Sequence, residues 1–319
     1  MGIMKKVLIT GAAGNLGGLL ADRLKNSALH LNLMIHRKDV NPSTRRAQNV
    51  TVYKADLADK ESLAPSLVGV DTVVHFAGIL FKHDPEKFLP ITNTEYFKNL
   101  LEKAVEARVS RMILISFPHV EGETTPEKPA TGRLDGNPIS VHATTRLEEE
   151  IILFNAGDET NIETVSLRLG MVYGRGILMI DTARWFAKFN ILGIWEKPTW
   201  IHLISVTDFL EATRQAIIKE NISGIYHIGD EGKQTLQEFL DVATAHWGYA
   251  RPVRMNRKII NLAATVFELF SFLFGTKSPL TRDFVTIGMV SYFGDTIRMR
   301  KELLSELAYP TFRDGIDTM

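Results

Sequence analysis

Short apolar runs alternate with amphipathic stretches through the first third of the chain. Val7–Thr10 is an apolar run closed by glycine, which predicts a buried strand. Leu16, Leu19, Leu20 and Leu24 then recur at helical spacing and predict a helix over Asn15 to Lys25. Leu31–Ile35, Val50–Tyr53, Thr72–Phe76 and Met112–Ser116 predict four further strands, the last two separated by a helical stretch from Thr92 to Ala107. Strands alternating with helices require right-handed crossovers, so the pattern predicts a parallel, doubly wound sheet.

The first turn of that pattern carries chemistry. Thr10-Gly11-Ala12-Ala13-Gly14-Asn15-Leu16-Gly17 follows a predicted strand and opens an amphipathic helix. Gly11 permits a tight turn, Gly14 permits close approach of backbone to a pyrophosphate, and Gly17 lets the helix pack on the strand. Gly11, Ala13, Gly14, Asn15, Leu16 and Gly17 are therefore the expected phosphate-binding residues, and the fold expected is a Rossmann domain. The second strand ends Ile35-His36-Arg37-Lys38, where a carboxylate would select the ribose 2′-hydroxyl. Cationic side chains at His36 and Arg37 favour a 2′-phosphate instead, and so NADP(H) over NAD(H). A solvated strand end is the plainer reading of the same residues.

Composition narrows the classes. The chain has 319 residues, with 37 Lys plus Arg against 37 Asp plus Glu. Zero net charge gives no support to binding of bulk nucleic acid. There is no cysteine, so disulfides, thiolate metal sites and a cysteine nucleophile are absent by count. The nine histidines are dispersed, without a metal-binding pair at helical spacing, so no metal is expected. The apolar run at the N-terminus is too short for a signal peptide, and Ile259 to Gly275 falls short of the roughly 20 residues of a membrane span. A cytoplasmic location is the expectation.

In order along the chain, these segments resemble an extended short-chain dehydrogenase/reductase of the NAD(P)-dependent epimerase/dehydratase family. Val7 to Gly17 resembles its cofactor turn, and Ala55-Asp56-Leu57 the segment contacting adenine. Val73-Val74-His75-Phe76-Ala77-Gly78 resembles the loop under the cofactor, and Asn93 to Ala104 the helix that follows. Arg168-Leu169-Gly170-Met171-Val172-Tyr173-Gly174 resembles the motif that borders the nicotinamide. Ser205-Val206-Thr207-Asp208 and Ile225-Tyr226-His227-Ile228-Gly229 are similar to two later elements. The resemblance thus implies cofactor contacts at Asp56, Leu57, Ala77, Gly78, Asn93, Ser116, Leu169 and Val172. The C-terminal stretch, with Leu262 to Phe274, Ser278-Pro279-Leu280-Thr281 and Tyr309-Pro310, is similar to the 3β-hydroxysteroid dehydrogenase and dihydroflavonol-reductase branches.

The family's catalytic Ser/Thr, Tyr and Lys meet a departure here. On the matching helix His142 stands at the Tyr position and Arg146 at the Lys position, four apart and so on one face. Phe117 takes the hydroxyl position, with Ser116 one residue early. His142 is the expected acid or base, and Arg146 the expected ribose contact as well as a partner that favours neutral imidazole. Phe117, His119 and Tyr173 are candidate substrate contacts, with a packing role the greater expectation for Tyr173. Glu148-Glu149-Glu150 reads as a solvated or helix-packing face.

The expected architecture is an NADP(H)-binding Rossmann domain over 1–174, rejoined by 200–229. A smaller, mainly C-terminal substrate-binding part covers 175–199 and 230–319. The expected function is an epimerase/reductase-like oxidoreductase acting on a small hydrophobic carbonyl or alcohol through an atypical proton donor. The alternative is a catalytically silent NADP(H)-binding sensor or structural partner. Residues 259–275 read as a helix buried against the substrate-binding part, with a membrane-surface contact the lesser reading. The resemblance also implies a homodimer through two helices flanking the cofactor domain.

Overall fold

The computed structural model describes residues 4–78, 84–274 and 281–319, with 270–274 described by their backbone. Seven parallel strands form the central sheet: β1 (Lys6–Thr10), β2 (His30–Ile35), β3 (Val50–Lys54), β4 (Thr72–His75), β5 (Arg111–Ser116), β6 (Glu163–Leu169) and, much later, β11 (Gly224–Ile228). Their order is β11-β6-β5-β4-β1-β2-β3, so the chain reverses direction across the sheet between β1 and β4. The five strands expected from the apolar runs are all present, each within one residue of its expected ends.

Alternation within the strands decides which face each side chain serves. Val7, Ile9, Ile113 and Ile115 point to one face and join a core with Leu20, Leu24 and Phe209 from α1 (Asn15–Leu24) and α7 (Val206–Ile218). Leu8, Met112 and Leu114 point to the other and meet α3 (Lys60–Leu67), α4 (Tyr96–Glu106) and α5 (Val141–Glu159) through Leu63, Phe97, Leu100 and Leu153. A four-residue helix, α2 (Pro42–Arg45), links β2 to β3. Residues 90–95 form a wider turn before α4, so the regular helix starts later than its apolar spacing suggests.

The rest of the chain builds a smaller layer from three two-stranded ladders. These are β7 (Met171–Tyr173) with β10 (Leu203–Ser205), β8 (Gly193–Trp195) with β13 (Val253–Met255), and β9 (Trp200–Ile201) with β12 (Gln234–Thr235). Around them lie α6 (Leu178–Lys188), α8 (Leu236–His246), α9 (Arg257–Phe274) and α10 (Arg282–Gly288), while α11 (Ile297–Glu302) packs on β11 at the edge of the central sheet. Ser205 caps α7 and donates to Asp208 Oδ2 at 2.6 Å. The buried Asp208 carboxylate also accepts the N–H groups of Ala308 (2.7 Å) and Tyr309 (3.1 Å), which ties the C-terminal loop back to the cofactor layer.

One expectation needs correction. Among the described side chains of α9, one side is buried, at Ile260 and Ala264. Ile259, Leu262, Val266 and Leu269 form an exposed stripe at helical spacing, each more than half accessible. Among the described residues no helix is long and apolar enough to cross a membrane. Gly275 and the Ser278-Pro279-Leu280 segment lie outside the described residues.

Candidate cofactor and active site

The glycine turn is packed so closely that side chains have no place in it. Gly11 has φ +65, and a Cβ there would lie 3.0 Å from the Ala77 backbone nitrogen. A Cβ on Gly17 would lie 2.5 Å from the Gly11 carbonyl oxygen, and Gly14 N–H donates to that same oxygen at 2.8 Å. Gly14 caps α1 without a side chain, so no side-chain cap occupies the first-turn N–H groups of Asn15, Leu16 and Gly17. An open groove of about 280 Å³ runs from Ala13, Gly14 and Asn15 toward Asp39, Val40 and Asn41. Asn15 departs from expectation in one respect. Its side chain bonds Gly176 O and Leu178 N, so its amide serves to latch the turn to the loop before α6.

At the end of β2, His36 and Arg37 are exposed. His36 Nε2 stands 3.5 Å from Asp56 Oδ2, and the other Asp56 oxygen accepts Ala58 N–H at 3.0 Å. A carboxylate does follow the strand, at Asp39, but Arg45 holds both its oxygens (2.7 and 2.8 Å). Leu57 packs partly buried against the α3/α4 core.

Across the switch, the loop after β4 and the first turns of α5 come together. His75 Nδ1 meets Thr10 Oγ1 at 2.8 Å, and Thr10 also accepts the N–H of Phe76 and Ala77. The Arg146 guanidinium lies against Gly78, where a Cβ would sit 2.3 Å from its Nη2. Arg146 Nη1 donates to Glu149 at 2.6 Å, and both side chains are buried. Asn93 is buried and donates to Thr145 Oγ1 at 3.0 Å, leaving its Oδ1 without a partner; Ser116 Oγ and Glu149 Oε1 are likewise buried and unpartnered. Leu169 and Val172 are buried at the end of β6 and in β7.

A cluster of rings closes this end. Phe117 meets His142 edge-on (5.1 Å between centroids) and tilts over His119 (4.5 Å), which in turn packs on Tyr292 (4.4 Å). His119 Nε2 donates to Val290 O at 3.1 Å, which fixes its tautomer and leaves the buried Nδ1 free. Among the described residues nothing hydrogen-bonds the His142 ring. Tyr173 is placed elsewhere: it is fully buried and donates to Thr311 O at 3.2 Å, a packing position.

The acidic triplet is not a solvated face. Glu149 and Glu150 are fully buried, and only Glu148 is accessible, accepting from Thr94 at 2.8 Å. Glu150 receives Arg168 through Nε (3.0 Å) and Nη2 (2.6 Å), plus Ser166 Oγ (2.7 Å). Arg168 also pairs with Glu121, which accepts the N–H groups of Thr131, Gly132 and Arg133. Sequence reasoning missed this network. Its available signal was Arg168 itself, an arginine inside a strand buried on both faces, which must find carboxylates.

Burial sets the charge states. It lowers His75 and His142 to about 3, Arg146 adding to both, and His119 and His202 to about 4. It raises Glu149 to about 7 against the pull of Arg146, and Asp230 to about 8. Between pH 4.5 and 6.5 the unfolded chain therefore holds protons on four histidines that the folded chain lacks, while the folded chain holds two carboxyl protons that the unfolded chain lacks. Net, stability should rise with pH there, at about 1.4 kcal/mol per unit for each proton of difference. Above pH 6.5 the histidine contribution is complete, and the two carboxyls lower stability as pH climbs toward 8. Urea unfolding from pH 4.5 to 8.5 should show a maximum near pH 6.5, and a steady climb to 8.5 would contradict these assignments.

A doubly wound parallel sheet with a glycine-lined first turn and a polar cleft at the strand ends defines a Rossmann-type dinucleotide-binding protein. The chain belongs to the NAD dependent epimerase/dehydratase family, whose model matches residues 7–229. It is similar to uronate dehydrogenase from Pseudomonas putida, 32% identical over 60% of this chain and 70% of that one. It is also similar to mouse (Mus musculus) sterol-4-alpha-carboxylate 3-dehydrogenase, decarboxylating, 29% identical over 56% of this chain and 51% of that one. The matched stretch spans 58% of a second uronate dehydrogenase, from Pseudomonas syringae. Among solved structures, UDP-glucose 4-epimerase from Thermotoga maritima shares the fold at TM-score 0.77 and 18% identity, over 98% of this chain and 96% of that one. UDP-glucuronic acid 4-epimerase from Bacillus cereus, in complex with NAD, does so at TM-score 0.73 and 18% identity, over 98% and 97%.

Proposed function

We propose that the cleft binds NADP(H) and that the protein is an oxidoreductase on a small hydrophobic carbonyl or alcohol. The observation that carries this is His142 and Arg146 standing one helical turn apart, with Arg146 seated on Gly78 and nothing described bonding the His142 ring. In this reading they stand where the family has its Tyr and Lys. When bound, the dinucleotide supplies the hydride. Its diphosphate fits the first-turn N–H groups of α1, and Asn93 Oδ1 and Ser116 Oγ offer buried acceptors toward its other half. His142, neutral at pH 7, donates a hydrogen bond to the reacting oxygen and keeps its own proton, so the proton that completes the alcohol comes from water (and returns to water in the reverse direction). Phe117, His119 and Tyr292 give the substrate an aromatic wall. His36 and Arg37 support the 2′-phosphate, with Asp39 neutralised by Arg45.

Depletion of NADPH against a panel of ketones, aldehydes and enones tests the reading. His142→Ala removes that hydrogen bond and should slow turnover about 10²–10³-fold with dinucleotide affinity unchanged. An inflexion near pH 7 should come from Glu149, whose carboxyl burial raises to about 7, and should persist in His142→Ala; an inflexion lost in that variant would show a titrating imidazole. Dissociation constants for NADPH and NADH at one salt concentration test the preference, which tighter NADH binding would overturn. A second reading, binding without turnover, is favoured by the depressed His142 pKa, which leaves no imidazolium proton to give at pH 7. Tight NADPH binding with no turnover on any substrate would select it.

A further inference from the structure

Arg146 does not stand alone in the cleft. Glu149 lies three residues further along α5, hence beside it on the helix surface. Its Oε2 takes Arg146 Nη1 at 2.6 Å, and its Oε1 is buried without any other partner. Neither side chain has an escape to water: Glu149 is fully buried and Arg146 is 7% exposed. Above about pH 7, where the Glu149 carboxyl has given up its proton, each is therefore the other's compensation, since an unpaired charge here would carry its full desolvation cost. The pairing also fixes a direction. With Nη1 held by Glu149, Nη2 is turned onto Gly78, where the absence of a Cβ gives it room.

Gly78 follows β4, on the opposite side of β1 from β2 and β3. In a doubly wound sheet a dinucleotide spreads across that switch, its diphosphate at the first turn and one nucleoside to each side. The adenosine side is marked by His36 and Asp56 at the ends of β2 and β3. The guanidinium therefore belongs to the other half.

We propose that Glu149 is a positioning residue: it holds Arg146 in the one orientation that lets the guanidinium bond the ribose of the nicotinamide half. This rests on the dinucleotide-binding reading above. A guanidinium has five donors in a rigid fork, so its use depends on orientation in a way that an ammonium group's does not. Without Glu149 the fork would lose its anchor and turn toward other acceptors or water.

The test separates the two halves of the ligand. Affinities are measured at pH 8, where Glu149 is ionised, for NADPH and for 2′,5′-ADP, which lacks the nicotinamide and its ribose, and likewise for NADH and ADP. The proteins are wild type, Glu149→Leu, Glu149→Gln and the double variant Arg146→Met/Glu149→Leu, each with a thermal melt. Glu149→Leu should weaken the intact dinucleotide about 10–100-fold, the loss of one charge-assisted contact, while the half-molecule changes by no more than about twofold. Glu149→Gln, which keeps the shape and an acceptor oxygen, should recover part of that loss. The double variant removes both charges together, so it should fold as wild type does and show the Leu variant's selective loss. Should Glu149→Leu not fold, Glu149→Gln decides by the same comparison. Equal weakening of dinucleotide and half-molecule, or no weakening of either, overturns the proposal. Wild-type protein that binds neither ligand overturns the dinucleotide reading itself.

Discussion

Arg168→Met should destabilise the protein by about 3–5 kcal/mol, a large part of the roughly 5–15 kcal/mol that holds a typical domain together. The side chain is completely buried in β6 and serves two carboxylates and one carbonyl: Glu150, Glu121 and Arg133 O, the last at 2.7 Å. Methionine fills similar space but leaves Glu150 with only Ser166 as a donor. Glu121 keeps its three backbone donors from residues 131–133 and loses its charged partner. The damage should therefore concentrate where α5 packs on β6. Urea unfolding measures it, and Glu150→Leu added to Arg168→Met should restore much of the loss by removing the stranded charge. A melting temperature unchanged in Arg168→Met would refute the network's structural role.

That network marks the boundary of what the sequence made legible. The sheet was readable because its strands are apolar on both faces and end in turn residues, so Val7–Thr10 and Met112–Ser116 admit little else. The phosphate turn was readable because three glycines, each answering a separate steric need, stand between a strand and a helix. Glu149 and Glu150 were not readable from their own neighbourhood. Three glutamates in a row have the composition of a solvated face, and what buries two of them is the position of Arg146 one turn back and of Arg168 on another element. The ring cluster was half visible: Phe117 and His119 stood out as departures, but Tyr292 reaches them from a segment with no periodic signal. The exposed stripe of α9 was not visible, because an apolar helix reads the same whether its partner is wide or narrow. The ladders of two and three residues in the smaller layer are likewise too short for a period of two to register.

Gly17→Ala should abolish measurable dinucleotide binding, with a loss of at least about 100-fold, or roughly 2.7 kcal/mol. The added methyl would meet the Gly11 carbonyl at 2.5 Å, well inside contact distance. Gly11 has no room to retreat, since it already sits at positive φ with the Ala77 backbone behind it. The relief available is for α1 to move away from the turn, and that takes its first-turn N–H groups out of register with the diphosphate they would hold. Gly18→Ala, one residue on, is the control. Its methyl would lie 3.3 Å from Ala12 O, a tight contact that a small shift relieves, and alanine favours the helix over glycine by about 0.8–1.0 kcal/mol. Titration by NADPH fluorescence should find Gly18→Ala close to wild type and Gly17→Ala without saturable binding. Thermal melts of both variants separate a local loss of binding from a general loss of stability: Gly17→Ala should still melt cooperatively while it fails to bind. Equal affinity in both variants would mean that the diphosphate is not seated on this turn, and the assignment of the cleft would fall with it.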